Sequence, residues 1–117
     1  MHRFTHALFR ARLALLGVAL MGGASALAGS VEALFLAENN AAMGKMMAAM
    51  GVKPSGDVDA DFVATMVPHH QGAIDMAQAE LRYGRNEPLR RIAQEIIVTQ
   101  QEEIAAMRLA LGPGPAR

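Results

Sequence analysis

The sequence predicts an all-α protein in which three helices form an antiparallel bundle within a single domain. Apolar side chains recur at helical spacing through three long segments, and two breaks rich in glycine and proline separate them. No segment shows sustained alternation of apolar and polar residues, so no strand is expected. A chain of 117 residues, 52% hydrophobic and 19% charged, has the composition of one folded domain and not of a disordered chain.

Residues 1–28 have the features of a secretory signal peptide. Arg3, Arg10 and Arg12 make a basic start, an apolar run extends from Leu13 to Met21, and small residues lead to Ala26-Leu27-Ala28. We expect cleavage after Ala28, with cleavage after Ala26 as the alternative. An uncleaved membrane anchor is the competing interpretation. However, glycines interrupt the apolar stretch, which falls short of the about 20 strongly apolar residues needed to span a bilayer. The mature protein is therefore expected to be periplasmic or secreted, and not attached to the membrane.

The expected mature domain, residues 29–117, is small, slightly acidic and free of cysteine. Of the eleven lysines and arginines, three are lost with the signal, which leaves eight against eleven acidic residues and a net charge of −3. This charge argues against a nucleic-acid partner, which would require a basic surface. Without cysteine there is no disulfide framework, thiolate cluster or cysteine nucleophile. So small a domain needs tight packing, a bound metal or oligomerisation for stability.

The first helix is predicted from Val31 to Met50, with Ser30 as its N-cap and a break at Gly51 and Pro54. Four methionines recur at the spacing i, i+3, i+4, i+7, which places their thioethers on one helical face: Met43, Met46, Met47 and Met50. A stripe of this kind is more commonly flexible core packing than a set of metal ligands.

The second helix is predicted from capping candidates at residues 57–61 to about Tyr83, with Gly84 just after its end. Pro68 lies inside this segment and lacks the backbone N–H that a helical hydrogen bond requires. It is therefore expected to kink the helix or to mark a local boundary.

The same helix carries two adjacent histidines. At about 100° per residue, Met66 lies at the middle of the apolar face, and His69 and His70 fall on either side of it, so that both imidazoles are expected to point inward. Buried ring nitrogens cost free energy unless they have partners. A single inward histidine is usually a satisfied core residue, but a thioether and two imidazoles on one face also form a set of metal donors.

The third helix is predicted to start at the cap residue Asn86 and to end at Leu111, before a Gly-Pro-Gly-Pro segment. Its apolar face consists of Leu89, Ile92, Ala93, Ile96, Ile104 and Met107. Gln100 lies at the centre of this face and Glu103 at its edge. Hydrogen bonds to His69 or His70 would explain why polar residues stand in an apolar stripe.

Thioether and imidazole donors without thiolate favour Cu(I) over hard cations. Zinc would take more histidine, cysteine or carboxylate ligands than this chain offers. A di-iron site needs about four carboxylates with Glu-x-x-His pairs, and Glu103 is the one inward acid that the pattern predicts.

Two blocks of the sequence resemble the DUF305 family. Residues 61–77, with Met-Val-Pro-His-His at Met66 to His70, match the signature of that family, and residues 92–107 fit its second block. The resemblance covers about residues 58–110. It implies a ferritin-like helical fold, and exported members of the family are associated with copper binding and copper tolerance through methionine and histidine ligands.

Carried to this sequence, the resemblance implies Met66, His69 and His70 as the first ligands, with Met76 and Met107 as further candidates. The methionines from Met43 to Met50 resemble the methionine-rich supplement of such proteins in composition only. Some members contain two His-His units, whereas this chain has one. A complete four-helix bundle would therefore need a partner chain, which implies a homodimer.

These observations lead us to expect an exported, non-enzymatic copper-binding protein that buffers, stores or transfers Cu(I), with other copper-trafficking proteins as partners. The alternative is an interaction module whose methionine faces form a dimer or partner interface. A ferritin-like oxidase or another redox enzyme at bound copper ranks last. No set of residues for hydrolysis is recognisable.

Overall fold

The computed structural model describes the backbone of residues 19–113 and the side chains of residues 29–113. The predicted signal peptide lies outside the described residues, except for residues 19–28, which are described as helix backbone. The chain divides into two compact units, one up to Ala33 and one from Leu34 onward. The second unit contains every candidate site residue.

Three helices account for the fold: α1 (Ala19–Met50), α2 (Val58–Tyr83) and α3 (Glu87–Leu111). The described residues contain no strand, and the predicted all-α class is confirmed. Helix α1 begins well before the predicted start, so Ser30 is an interior helical residue and its assignment as the N-cap is wrong. The segment before it contains alanines and leucines but no proline, and such residues continue a helix readily.

The predicted starts of the other two helices are confirmed. The side chain of Asp57 accepts hydrogen bonds from the N–H groups of Asp59 and Ala60, at 2.9 and 3.2 Å. The side chain of Asn86 accepts one from Leu89 N–H at 3.1 Å. These contacts satisfy donors that the first helical turn leaves without partners. Both caps are local in sequence, which is why the pattern alone could place them.

Helix α2 runs through Pro68 without ending, so the predicted local boundary at this residue is wrong. The helix ends at Tyr83, and Gly84 follows in an extended conformation, with its N–H donating to the carbonyl of Glu80. Gly84 therefore caps the helix as predicted, although it does not adopt the left-handed conformation that often follows a helix.

Helix α2 lies between α1 and α3 and is antiparallel to both. Toward α1, Lys45 pairs with Asp75 at 3.8 Å, and Glu38 pairs with Arg82. Toward α3, the ring of His70 contacts Glu103. On a helix of 3.6 residues per turn, Asp75 and Arg82 point away from His70. The residues from Leu34 onward therefore form a layer of three helices with α2 in the middle.

The core of this layer is small. Ile74 and Ile104 are its only buried large aliphatic side chains among the described residues. The other buried residues are small, apart from one histidine: Ala42, Gly72, Ala77, Ala79, Ala93 and His70. Small residues let α2 approach its neighbours closely, but they bury little apolar surface. No described helix is long and apolar enough to cross a membrane.

Candidate metal-binding site

His70 is buried at the contact between α2 and α3, with 8% of its surface exposed. Its Nδ1 donates to the carbonyl oxygen of Met66, 2.9 Å away and one helical turn earlier. Its Nε2 lies 2.6 Å from Oε2 of Glu103 on α3. The prediction that a polar residue of α3 bonds one of the two histidines is confirmed by Glu103.

The two hydrogen bonds determine what His70 can do. Because a carbonyl oxygen only accepts, Nδ1 carries a hydrogen, and this leaves Nε2 as the one nitrogen that could bind a metal. In the structure, Nε2 is hydrogen-bonded to the carboxylate of Glu103. A metal ion could reach this nitrogen only after Glu103 moves away.

His69 differs from its neighbour. It is exposed, so the prediction that both imidazoles point inward is confirmed for His70 and wrong for His69. The two ring centroids lie 6.0 Å apart, with 62° between the ring planes. Successive side chains on a helix point in directions about 100° apart. Because His70 points into the contact between α2 and α3, His69 points to the flank of the layer.

Met46 is the methionine of α1 that enters the contact with α2. It is half-buried against Gly72, where a Cβ atom would come within 2.6 Å of the Met46 sulfur. Gly72 therefore lets the two helices approach closely, one turn after His69. Because α1 and α2 are antiparallel, this contact also brings Met50 to the level of Pro68 and His69 along the helix axis.

The other methionines of α1 lie beside this contact. Met43 is exposed and its sulfur accepts a hydrogen bond from the Asn39 amide at 3.7 Å, Met47 is 62% exposed, and Met50 is half-buried. The four methionines thus share one half of the helix surface, as predicted. Met46 packs against Gly72 of α2, whereas Met43 and Met47 are exposed.

The two faces of the layer have different chemistry. Glu38 and Lys45 meet Arg82 and Asp75 along one face, which we call the polar face. By helical geometry, the side chains on the opposite flanks of α1 and α2 point toward the other face of the layer. Three methionines of α1 and the exposed histidine of α2 therefore lie on the same side.

On that side, α2 and α3 enclose a shallow apolar groove of about 340 Å³, lined by Ala73, Met76, Ala77, Glu80, Leu89, Ile92, Ala93 and Ile96. We call the whole surface the open face and define it by Met43, Met47, Met50, Phe62, Met66, His69, Met76, Leu89, Ile92 and Ile96. It contains five thioether donors, one imidazole and four hydrocarbon side chains.

The candidate ligands of α2 lie on two sides of that helix. His69 shares the open face with Met66 and Met76, while His70 lies between α2 and α3. Met107 is half-buried on α3, one turn after Glu103. Within the described part of the chain, no group of three or more histidine, aspartate or glutamate side chains is arranged to hold a metal ion.

Two features of this region were not predicted. The first is the contact between Gly72 and Met46, which a glycine inside a long helix could have indicated, because glycine there costs about 1 kcal/mol relative to alanine. The second is the hydrogen bond from the Tyr83 hydroxyl to Glu38, 2.6 Å long. This bond, together with partial burial and the charge of Glu38, raises the pKa of Tyr83 above its usual value of 10.0.

The fold and this region define a small all-α protein with histidine and methionine donors on its central helix. The family model for a domain of unknown function, DUF305, matches residues 29–111, and the chain belongs to that family. No curated protein is significantly similar to the chain.

Proposed function

We propose that this protein is exported and binds Cu(I), which it buffers, stores or passes to other copper-trafficking proteins. The proposal depends mainly on one observation. His69 is exposed, and helical geometry places it on the same face of the layer as Met50, Met66 and Met76. Uncharged sulfur and nitrogen donors of this kind suit Cu(I) better than they suit hard cations.

Under this proposal the two histidines have different roles. Within a single chain His69 is exposed, and it can accept a metal ion without the loss of a hydrogen bond to any described residue. His70 can contribute Nε2 only when Glu103 moves away, because the carboxylate holds that nitrogen at 2.6 Å. His69 is therefore the entry ligand, and His70 is a second ligand whose recruitment competes with Glu103.

Exchange of copper with partners requires donors that the partner's own ligands can reach. Met43 and Met47 meet this requirement, since both are exposed at the border of the open face. Thioethers bind Cu(I) without being deprotonated, and their flexible side chains can follow an ion from one ligand set to another. We assign these two residues to entry and release of the ion.

The direct test is a Cu(I) titration of the purified protein against a competing chelator. We expect the His69→Ala variant to lose affinity by at least about tenfold, because removal of one ligand costs more than 1.4 kcal/mol. Gln71→Ala is the matched control, since Gln71 is an exposed polar residue two positions away on the same helix. Equal copper retention in wild type and a His69→Ala/His70→Ala double variant would exclude the proposal.

The exposed apolar surface also favours a second candidate function, a non-catalytic interaction module. Phe62 is 55% exposed and Ile92 is 50% exposed on the same open face. In this alternative, replacement of Met43, Met46, Met47 and Met50 by leucine would preserve assembly and function, because leucine keeps the apolar surface. Loss of Cu(I) affinity in the same variant, with assembly intact, would favour the copper-binding function.

A further inference from the structure

The open face exposes several large apolar side chains above a small core. Leu89 and Ile92 are each about half exposed and line the apolar groove between α2 and α3. Phe62, nearer the start of α2, is 55% exposed. Contiguous apolar surface of this extent commonly marks an interaction site. A small domain with so few buried aliphatic side chains gains stability when such a face is covered.

The spacing of residues on this face matches that of helices that pack in bundles. On α2 the positions are Phe62, Met66, His69, Ala73 and Met76, with alternating steps of four and three residues. On α3 the positions are Leu89, Ile92, Ile96, Thr99 and Glu103, with the same alternation. Steps of three and four along a helix define a seam that packs against other helices. The pair α2–α3 therefore has the residue pattern of half of a four-helix bundle.

We propose that a second copy of this chain covers the α2–α3 part of the open face, with α2 of each copy against α3 of the other. The metal donors around His69 then come from two chains. The arrangement of the two copies is inferred from the apolar surface alone, whereas the shared metal site also rests on the copper-binding function proposed above.

The size of the face suits a dimer. Helices α2 and α3 have 26 and 25 residues, which corresponds to a length of about 39 Å at 1.5 Å per residue. Two adjacent helices are about 20 Å wide, so the face offers about 750 Å² per chain. Stable protein interfaces bury about 800 Å² on each partner. The α2–α3 surface alone therefore approaches this size.

The polar residues of the face match those of a second copy. His69 and Glu103 lie near mid-length of their helices, and the contact between His70 and Glu103 keeps them at one level. A two-fold axis parallel to the helices sets α2 opposite the partner's α3 at the same level. His69 then meets Glu103 of the partner subunit, whose second carboxylate oxygen is not used by His70. Apolar residues surround this central polar pair, as is usual at interfaces.

The same symmetry would gather the soft donors. Met66 lies one turn before His70 on α2, and Met107 lies one turn after Glu103 on α3. The antiparallel packing of these helices places both methionines on the same side of the His70–Glu103 level. In the dimer, two copies of Met66, His69 and Met107 therefore lie around one level of the bundle, which would give a shared site more donors than one chain can supply.

The test uses protein purified from the expressing cell and freed of metal. Light scattering measures the mass of the particle, and analytical ultracentrifugation measures the dissociation of the dimer. We expect a dimer for the wild type. Ile92→Glu places a carboxylate in the apolar seam and should weaken the dimer at least about tenfold. Val98→Glu is the matched control, because Val98 is 55% exposed on the same helix but faces away from the seam. It should leave the dimer intact.

A monomeric wild type, or an Ile92→Glu variant that stays dimeric, would overturn the proposal. If Ile92→Glu fails to fold, cross-linking provides the decisive measurement, because the native chain has no cysteine. A short bis-maleimide should link two copies through Ala73→Cys on the open face and not through Gln78→Cys on the polar face. Equal linking of both variants, or of neither, would also refute the docking arrangement.

Copper titration of the same proteins separates the two proposals. A dimer that retains no Cu(I) would refute the copper function and leave the docking surface in place. A monomer that retains Cu(I) would refute the dimer and leave the copper function in place. For a site shared between chains, we expect Ile92→Glu to lower Cu(I) affinity together with dimer stability, while Val98→Glu changes neither.

Discussion

The carboxylate of Glu103 on α3 lies 2.6 Å from Nε2 of the buried ring of His70 on α2. This contact joins residues 33 positions apart in the chain. It satisfies the ring nitrogen that a metal would otherwise bind. Glu103 therefore has two opposed effects, since it stabilises the helix pair and also competes with any metal for His70.

Replacement of Glu103 by alanine should reveal both effects. The variant leaves a buried nitrogen of His70 without its partner, which should lower the free energy of unfolding by about 1–3 kcal/mol. The same change frees Nε2, so Cu(I) affinity should rise if His70 is a ligand. Urea denaturation and a chelator competition measure the two quantities.

The neighbouring residue provides a control for this prediction. Glu102 is exposed, and Glu102→Ala should change the free energy of unfolding by no more than about 0.5 kcal/mol. Similar destabilisation by both alanine variants would show that the His70–Glu103 contact has no special role in stability.

Gly72→Ala should destabilise the packing of α1 on α2. The new methyl group would lie within 3 Å of three Met46 atoms, including its Cβ at 2.9 Å, which cannot move without the helix. We expect a loss of about 1–3 kcal/mol, against a gain in helix propensity of about 1 kcal/mol. Thermal or urea unfolding measures the net loss.

Gly44→Ala is the matched control, because it also lies inside a helix but has no heavy atom within 4 Å of the added Cβ. It should raise stability by about 0.5–1 kcal/mol. In a double-mutant cycle, Met46→Ala should reduce the cost of Gly72→Ala. Full persistence of that cost without the Met46 side chain would contradict the proposed contact.

The hydroxyl of Tyr83 should titrate above its usual pKa of 10.0, because it donates a hydrogen bond to Glu38 and faces its negative charge. Tyr83 is the only tyrosine and the chain has no tryptophan, so ultraviolet absorbance of the phenolate reports this group alone. Glu38→Gln should bring the pKa back toward 10.0. An unchanged titration curve in this variant would contradict the assignment.

The raised pKa of Tyr83 also makes stability depend on pH in the alkaline range. The folded protein retains the phenolic proton more strongly than the unfolded chain does. The stabilisation is therefore fully present below the unfolded pKa and is lost as the pH rises through the folded pKa. Denaturant unfolding at neutral and alkaline pH should show this decline in wild type, and a smaller decline in Glu38→Gln.

Pro68→Ala should stabilise α2. Proline supplies no N–H for the carbonyl of the preceding turn, yet the helix continues through it. Alanine restores this bond and should raise the free energy of unfolding by about 1–3 kcal/mol. The helical content by circular dichroism should stay unchanged. A loss of stability would show instead that the proline ring contributes packing that alanine cannot replace.

The elements of the fold were predictable because their signals are local. Asp57 and Asn86 cap helices within three residues of themselves, and glycine and proline interrupt the segments between helices. The start of α1 was not predictable in this way, because Ser30 can act as a cap or as an interior residue. Nothing near it in sequence forces the helix to begin there.

The site was predictable only in part. Helical periodicity put His70 on the buried side of α2 and Glu103 at the edge of the α3 face, and their contact follows from two such faces meeting. The same periodicity placed His69 inside as well, although it is exposed. Residues 100° apart on a helix cannot both face one neighbouring helix, and the sequence does not say which of them does.

The sequence by itself determined the helical class, the family and the identities of the donor side chains, because composition, spacing and caps act over a few residues. The tertiary structure alone decided that α2 lies between its neighbours, that His70 is held by Glu103, and that His69 shares an open face with methionines. These features depend on contacts between residues about 30 to 45 positions apart, such as Glu38 with Tyr83. Such contacts determine which side of each helix packs against its neighbour, and no local sequence pattern encodes that choice.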